Sequence, residues 1–288
     1  MREPDDSFRL DKSRLNERAK HLARPLSKVV TWGPLLKASR YLDAYFNFLM
    51  GRGCGTGWDL SEEVDAAVAT LMTKQPTVFD IGANVGEWTR IFQQRVPGAR
   101  VFLFEPAMGC HEYLTPLLGE SVTLVPCAVG AEKGSAQLWS SAKTDGTASL
   151  HVHRETYFVG RDYRPSEVEV TTIDNFLDES SIVAVDFMKL DLEGHDFAAL
   201  QGATQALADG KIRALSFEFG AGNINSRTYF HDFWDLLHPQ GYRLSRIAPG
   251  GRLVPIRSYY EDLEYFRGVT NYVAVHDPVR GRARAVSQ

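Results

Sequence analysis

The sequence runs to 288 residues, 44% hydrophobic and 24% charged, which supplies an ample core and excludes a disordered or low-complexity polymer. Its net charge of -4 and pI near 6.1 exclude a general nucleic-acid binder, and no stretch reaches the ~18 consecutive apolar residues that a membrane span needs. Three cysteines (Cys54, Cys110 and Cys127) lack metal-type spacing, and the charged start MREPDDSFRLDKSR does not read as a signal peptide, so a reducing cytoplasm is the expected setting.

Residues 1–60 read as an N-terminal helical extension and residues 61–288 as one α/β ligand-binding domain. Residues 1–40 carry ten Lys/Arg against five acids, a net of +5 that leaves -9 for the rest. This imbalance predicts a solvated leader, with weak association to an anionic membrane surface or acidic partner as the sharper reading. Leu35, Leu36, Tyr41, Leu42, Tyr45, Phe46 and Leu49 recur at roughly helical spacing. GRGCGTG (51–57) then breaks the chain, and Ser61 is positioned to cap a helix begun by Glu62 and Glu63.

From Thr77 the pattern becomes strands alternating with helices. VFDIG (78–82), VFLFEP (101–106), VTLVPCAVG (122–130), VDFMKLDLEG (185–194) and ALSFEFG (214–220) read as strands; 86–95, Phe197–Leu207 and Tyr229–Leu237 read as helices. The alternation predicts a doubly wound, mostly parallel sheet. SAQLW and VEVTT alternate like antiparallel strands, and the long polar segment between them reads as a flap or hairpin excursion after the third strand. YRLSRIAPGG and TNYVAVHD look like a final antiparallel pair. The N-terminal extension (Tyr41, Tyr45, Phe46) and the excursion (Tyr157, Phe158, Tyr163) are expected to frame an acceptor site and stack on sugar faces.

The stretch VFDIGANVGEWTR must turn sharply from strand to helix while a ligand approaches its backbone. Gly82 and Gly86 have no Cβ, Asn84 tolerates left-handed geometry, and the helix start offers free N–H groups. The spacing D-x-G-x-N-x-G departs from the G-x-G-x-x-G of dinucleotide sites, and Asp80 would repel a pyrophosphate while favouring a cation. Glu105, closing the second strand, is placed to accept both ribose hydroxyl hydrogens. A ligand with a ribose and a cation but no diphosphate is S-adenosylmethionine.

DIGANVG, FEP, PCAVG, TTIDNFL, MKLDLEGHDFAALQGA and LSFEFG, in this order, resemble the FkbM-type S-adenosylmethionine-dependent methyltransferases over about residues 60–276. The resemblance implies a Rossmann-like class I methyltransferase that acts on a hydroxyl, often of a sugar or polyketide. It also implies a cofactor set of Asp80, Gly82, Asn84, Gly86, Glu105, Cys127 and Asp191. The chain departs from the family at His195, where members commonly carry a small residue.

In a strand, Lys189, Asp191 and Glu193 would share one face beyond the apolar Val183, Val185 and Phe187. Asp191 is expected near the methionine end of the cofactor or the acceptor hydroxyl, with Lys189 as its partner. His195 is the leading base because its intrinsic pKa lies near neutrality, with Asp191 and Glu218 as the other proton acceptors. Asp191, Glu193 and Glu218 are the residues that would hold Mg²⁺, but a Lys189 ammonium competes for the same carboxylate and the metal-free route is preferred. The reading is O-methylation of a sugar, glycoconjugate or related natural product, with a small-molecule or glycan acceptor and no nucleic acid. N- or carboxyl-methylation and a non-catalytic scaffold are the alternatives; a dinucleotide oxidoreductase lacks its glycine pattern.

Overall fold

The computed structural model describes residues 33–53, 55, 59–153 and 160–277, with positions 21, 24 and 27. The charged residues 1–20, Cys54, Tyr157 and Phe158 lie outside the described residues. Among the described residues, no helix is long and apolar enough to cross a membrane.

In chain order the elements are α1 (Gly33–Leu49), α2 (Leu60–Val68), β1 (Thr77–Ile81), α3 (Glu87–Arg95), β2 (Arg100–Phe104), α4 (Met108–Leu114) and β3 (Val122–Val125). A side excursion follows with β4 (Ala128–Val129), β5 (Gly134–Ser140) and β6 (Arg164–Thr171). The chain then forms α5 (Ile173–Ser180), β7 (Phe187–Leu190), α6 (Asp196–Gln201), α7 (Thr204–Ala208) and β8 (Ala214–Phe219). It ends in α8 (Gly222–Ser226), α9 (Phe230–Leu237), β9 (Tyr242–Ala248), β10 (Arg252–Ile256) and β11 (Thr270–His276).

The main sheet has the order β10-β9-β11-β8-β7-β1-β2-β3. β1 pairs in parallel with β2 and β7, β2 with β3, and β7 with β8. β11 runs antiparallel between β8 and β9, as the terminal pair predicts. The order reverses between β1 and β7, and in such sheets the crevice beyond the strand ends at that reversal is where ligands bind.

β1 reads TVFDI because both faces are covered. Phe79 and Ile81 enter one core with Phe102, Phe104, Met188 and Leu190, while Val78 enters the other with Val101, Leu103 and Phe187. On the first face Phe176 of α5 packs edge-on against Phe79, Phe102 and Phe104, at ring separations of 5.5, 5.6 and 4.8 Å. On the second, Trp88 of α3 stacks on Phe92 and Phe187.

Several expected boundaries move. The run 122–130 is two strands, because Pro126 cannot donate to a ladder; β4 leaves the main sheet and joins β6 and β5 in a separate three-stranded sheet. The run 185–194 keeps only Phe187–Leu190, and Val183 is 83% exposed. Helix 197–207 divides into α6 and α7, with the turn at Gly202 and Ala203. α2 is capped by Asp59, whose carboxylate accepts from Ser61 N, and not by Ser61 itself. RLVPI adds β10, an edge strand that the sequence reading did not anticipate. α1 forms over the expected apolar stripe, but none of its residues is buried.

Phe217 of β8 stacks between Phe233 of α9 (4.5 Å) and Tyr272 of β11 (5.4 Å) and is 1% exposed. Phe217→Ala should therefore cost about 3–5 kcal/mol of unfolding free energy, measured by urea titration.

Candidate functional site

The loop after β1 alternates into left-handed backbone at Gly82 (φ 79°), Asn84 (φ 47°) and Gly86 (φ 80°). A side chain on Gly82 would collide with the carbonyl oxygen of Asp191, so glycine here lets the loops after β1 and β7 touch. Gly86 serves a different purpose. Its missing Cβ would meet Leu114 and Leu117 at 2.8 and 2.6 Å, so it packs α3 against the following segment and does not line the cleft.

Glu105 follows β2 and is 6% exposed. One carboxylate oxygen accepts from Asn84 N and the other from Ala107 N, both at 2.7 Å. Burial raises its pKa, and the two N–H groups oppose that rise. Each oxygen keeps a further lone pair for a ligand donor.

Asp80 lies fully buried behind the cleft wall. It accepts from Thr89 Oγ1 (2.6 Å) and from Lys189 Nζ (3.3 Å), so it acts on the cleft through Lys189 and not by facing a ligand. Lys189 also reaches Asp191 (3.2 Å) and the carbonyl of Gly82 (3.4 Å). Burial would lower its pKa, but Asp80, Asp191 and Glu63 more than offset this and hold the ammonium charged.

A cleft opens at the β1–β7 reversal, where open α/β sheets bind their ligands. Gly82, Asn84, Glu105, Cys127, Asp191, Glu193 and His195 line it. Cys127 has its thiol pushed up to about 11, by burial first and then by Glu169 and Glu179, so it stays protonated.

The excursion returns over this cleft as a roof. Trp139 and Ser149 exchange backbone hydrogen bonds (2.8 and 3.1 Å), and between them Asp145 accepts four bonds, from N and Oγ of Ser141 and from N and Oγ1 of Thr147. Burial would raise the Asp145 pKa, but these bonds overcome it and hold it near about 2. Asp145, Gly146, Ala148, Ser149 and Leu150 line the cleft, and Ser149 Oγ donates to the carbonyl of Glu193 (3.1 Å). The sequence reading missed these residues individually, although the T-D-G-T run is a local turn signal.

Beyond Leu190 the chain turns, with Glu193 (φ 49°) and Gly194 (φ 93°) left-handed, so Lys189, Asp191 and Glu193 do not share a strand face as expected. The turn instead brings one carboxylate oxygen each from Asp191, Glu193 and Glu218 within 4.8 Å of one another. Glu63 and Asp196, which the sequence reading did not assign to the site, lie beside this cluster. Glu63 accepts from Asn271 and is pushed up to about 7 by burial and then by Asp191. Asp196 has no exposed surface, accepts from Glu218 N (3.2 Å), and is also pushed up to about 7 by burial. Glu218 is raised well above its ordinary value by burial and then by Asp191, Glu193, Asp196 and Glu63. His195 is the N-cap position of α6, and burial with the neighbouring His151 lowers it to about 4.

Because Glu63 and Asp196 titrate higher folded than unfolded, the native state holds protons that the unfolded chain has released between about pH 4 and 7. The stability they contribute is fully present below that window and is lost as pH rises through about 7. Glu63→Gln or Asp196→Asn should flatten the decline, read as a smaller difference between urea unfolding free energies at about pH 5 and about pH 8.

The chain is similar to the methyltransferase FkbM of Methylobacillus flagellatus KT, at 17% identity and a TM-score of 0.43 over 70% of this chain and 44% of that one; it spans less than half of that relative's length. It is similar to the fibrillarin pre-rRNA processing protein of Methanococcus jannaschii (13% identity, TM-score 0.40, 76% of each chain). It is also similar to the plantazolicin methyltransferase BpumL, solved in complex with SAH (10% identity, TM-score 0.38, 91% of this chain and 98% of that one). No curated protein matches the sequence. The Methyltransferase FkbM domain matches residues 80–244, more than half of the chain, from the buried Asp80 of β1 into β9. The chain belongs to the FkbM methyltransferase domain family.

Proposed function

We propose that the protein binds S-adenosylmethionine and methylates a hydroxyl of a sugar, glycoconjugate or related natural product, in the cytoplasm and without nucleic acid. The observation that carries this reading is that one cleft holds both halves of the chemistry: Gly82, Asn84 and Glu105 at one part of its wall, and Asp191, Glu193 and His195 at another.

The residues fit the cofactor. Glu105 retains acceptor capacity on both oxygens for ribose hydroxyls, and the loop after β1 exposes its backbone to the cleft. Asp80, Asp191 and Glu193 outnumber the single Lys189 ammonium, an imbalance that favours a cationic ligand. When bound, S-adenosylmethionine supplies an activated methyl group for in-line displacement. Glu105 anchors, the roof excludes water, and His195, uncharged near neutral pH, takes the acceptor proton.

Asp191, Glu193 and Glu218 also suit a divalent cation, but Lys189 at 3.2 Å from Asp191 competes for the same carboxylate, which favours the metal-free route.

Calorimetry should give binding of S-adenosylmethionine and S-adenosylhomocysteine and none of NAD. Glu105→Ala should weaken S-adenosylhomocysteine by about 1.5–3 kcal/mol; unchanged affinity in a folded variant would remove the ribose assignment. With labelled cofactor and a panel of hydroxyl, amine and carboxyl acceptors, transfer should go to a hydroxyl. On that acceptor His195→Ala should lower kcat by about 10²–10⁴ while EDTA has no effect. Loss of activity on chelation, restored by Mg²⁺, would transfer the role of activating the hydroxyl to the acid cluster.

A further inference from the structure

A surface helix ordinarily turns its apolar stripe to the core and its polar face to water. α1 does the opposite. Asp43 pairs with Arg267 of the body, and Asn47, one turn on along the same line, donates to the Asp43 carboxylate (2.9 Å) and carbonyl (2.8 Å). Just past the helix, the carbonyl of Met50 accepts from Arg246 Nε (3.0 Å). The helix is thus held to its own protein by polar groups.

The other face is apolar and points away. Leu35, Leu42, Tyr45, Phe46 and Leu49 follow the spacing of a single helical stripe, and all five are exposed, the last four between 54% and 58%. Tyr41 flanks the stripe and is 67% exposed. No residue of α1 lines the cleft, so this face is not a wall of the site described above.

Charge supplies an independent observation about the same segment. Residues 18–42 hold six Lys/Arg (Arg18, Lys20, Arg24, Lys28, Lys37 and Arg40) and no Asp or Glu. Of these, Arg24, Lys37 and Arg40 are among the described residues, and all three are exposed.

We propose that α1 is a membrane-surface helix, whose apolar stripe docks on an anionic lipid bilayer while the basic run binds the headgroups. A bilayer of this kind takes up both features at once: apolar side chains sink to the acyl boundary and cations meet acidic headgroups. Tyr41 and Tyr45, each with an apolar ring and a polar tip, suit that boundary. A second copy of the chain fits less well. In a two-fold contact α1 meets α1, and the cations of one copy face the same cations of the other.

The helix joins the body at the ligand end of the sheet. Gly53 N donates to Thr270 Oγ1 (2.8 Å) and Gly55 N to Val269 O (2.9 Å), while Thr270 pairs with Phe219, the last residue of β8. β8 runs parallel to β7, and β7 to β1, beyond whose ends the cleft opens. Docking through α1 would bring lipid to the end of the molecule that carries the cleft.

The test is co-sedimentation of the full-length protein with vesicles of phosphatidylcholine, alone or mixed equally with phosphatidylserine. Wild type should bind the mixed vesicles, bind phosphatidylcholine far more weakly, and lose affinity as salt is raised. Lys37→Gln with Arg40→Gln should weaken binding to the mixed vesicles about 25-fold, at roughly fivefold per cation. Leu42→Ser with Phe46→Ser and Leu49→Ser should weaken it at least about 100-fold. None of these side chains is buried, so the variants should keep the wild-type urea midpoint. The proposal fails if wild type does not sediment with the mixed vesicles, or binds both kinds equally. It fails too if the folded serine variant binds as tightly as wild type. A lipid-free dimer in analytical ultracentrifugation that the serine variant returns to monomer would assign the stripe to a second copy and overturn the membrane reading.

Discussion

The ammonium of Lys189 is the contact on which the rest of the site depends. The parallel register places Lys189 of β7 directly opposite Asp80 of β1, so the two charges meet inside the sheet at the reversal of strand order. Its three hydrogens find three acceptors: Asp80, Asp191 and the carbonyl of Gly82. One buried cation thereby joins the end of β1, the loop that follows it and the turn after β7. Two charges out of water are tolerated only with such complete pairing; removing either partner leaves an uncompensated buried charge, a loss of about 3–5 kcal/mol.

That arrangement leaves the surrounding acids underneutralised. Asp80 and Asp191 share Lys189, while Glu63, Asp196 and Glu218 remain close by with raised pKa values. Without a bound cation the cluster holds protons in place of charge. A cationic ligand bound there would find a favourable field and release those protons, which would link its affinity to pH.

Much of this was legible in the sequence because it is local. The D-x-G-x-N-x-G turn, the carboxylate closing the second strand and the alternation of strands with helices all depend on neighbours within a few residues. What was not legible depends on contacts far along the chain. An acid next to a glycine loop can face the ligand or stand behind the wall; Asp80 stands behind because Thr89 and Lys189 meet it there. Gly82 and Gly86 look equivalent in the motif, yet one answers to Asp191 and the other to Leu114 and Leu117. The strand is shorter than the run 185–194 predicts, since a charged alternation reads the same in a strand and in the turn that begins after Leu190. Glu63 carries no motif at all; it lies on α2, and its place in the acid cluster comes from tertiary packing.

The roof springs from the β4–β6–β5 sheet and not from the eight-stranded one. Its first and last anchors, the Trp139–Ser149 pair and the Asp145 turn, are internal to it. Insertions or deletions there would leave every register of the main sheet as it is. The roof can therefore change in length or sequence, and with it the shape of the cleft, without altering the pairing of the strands beneath.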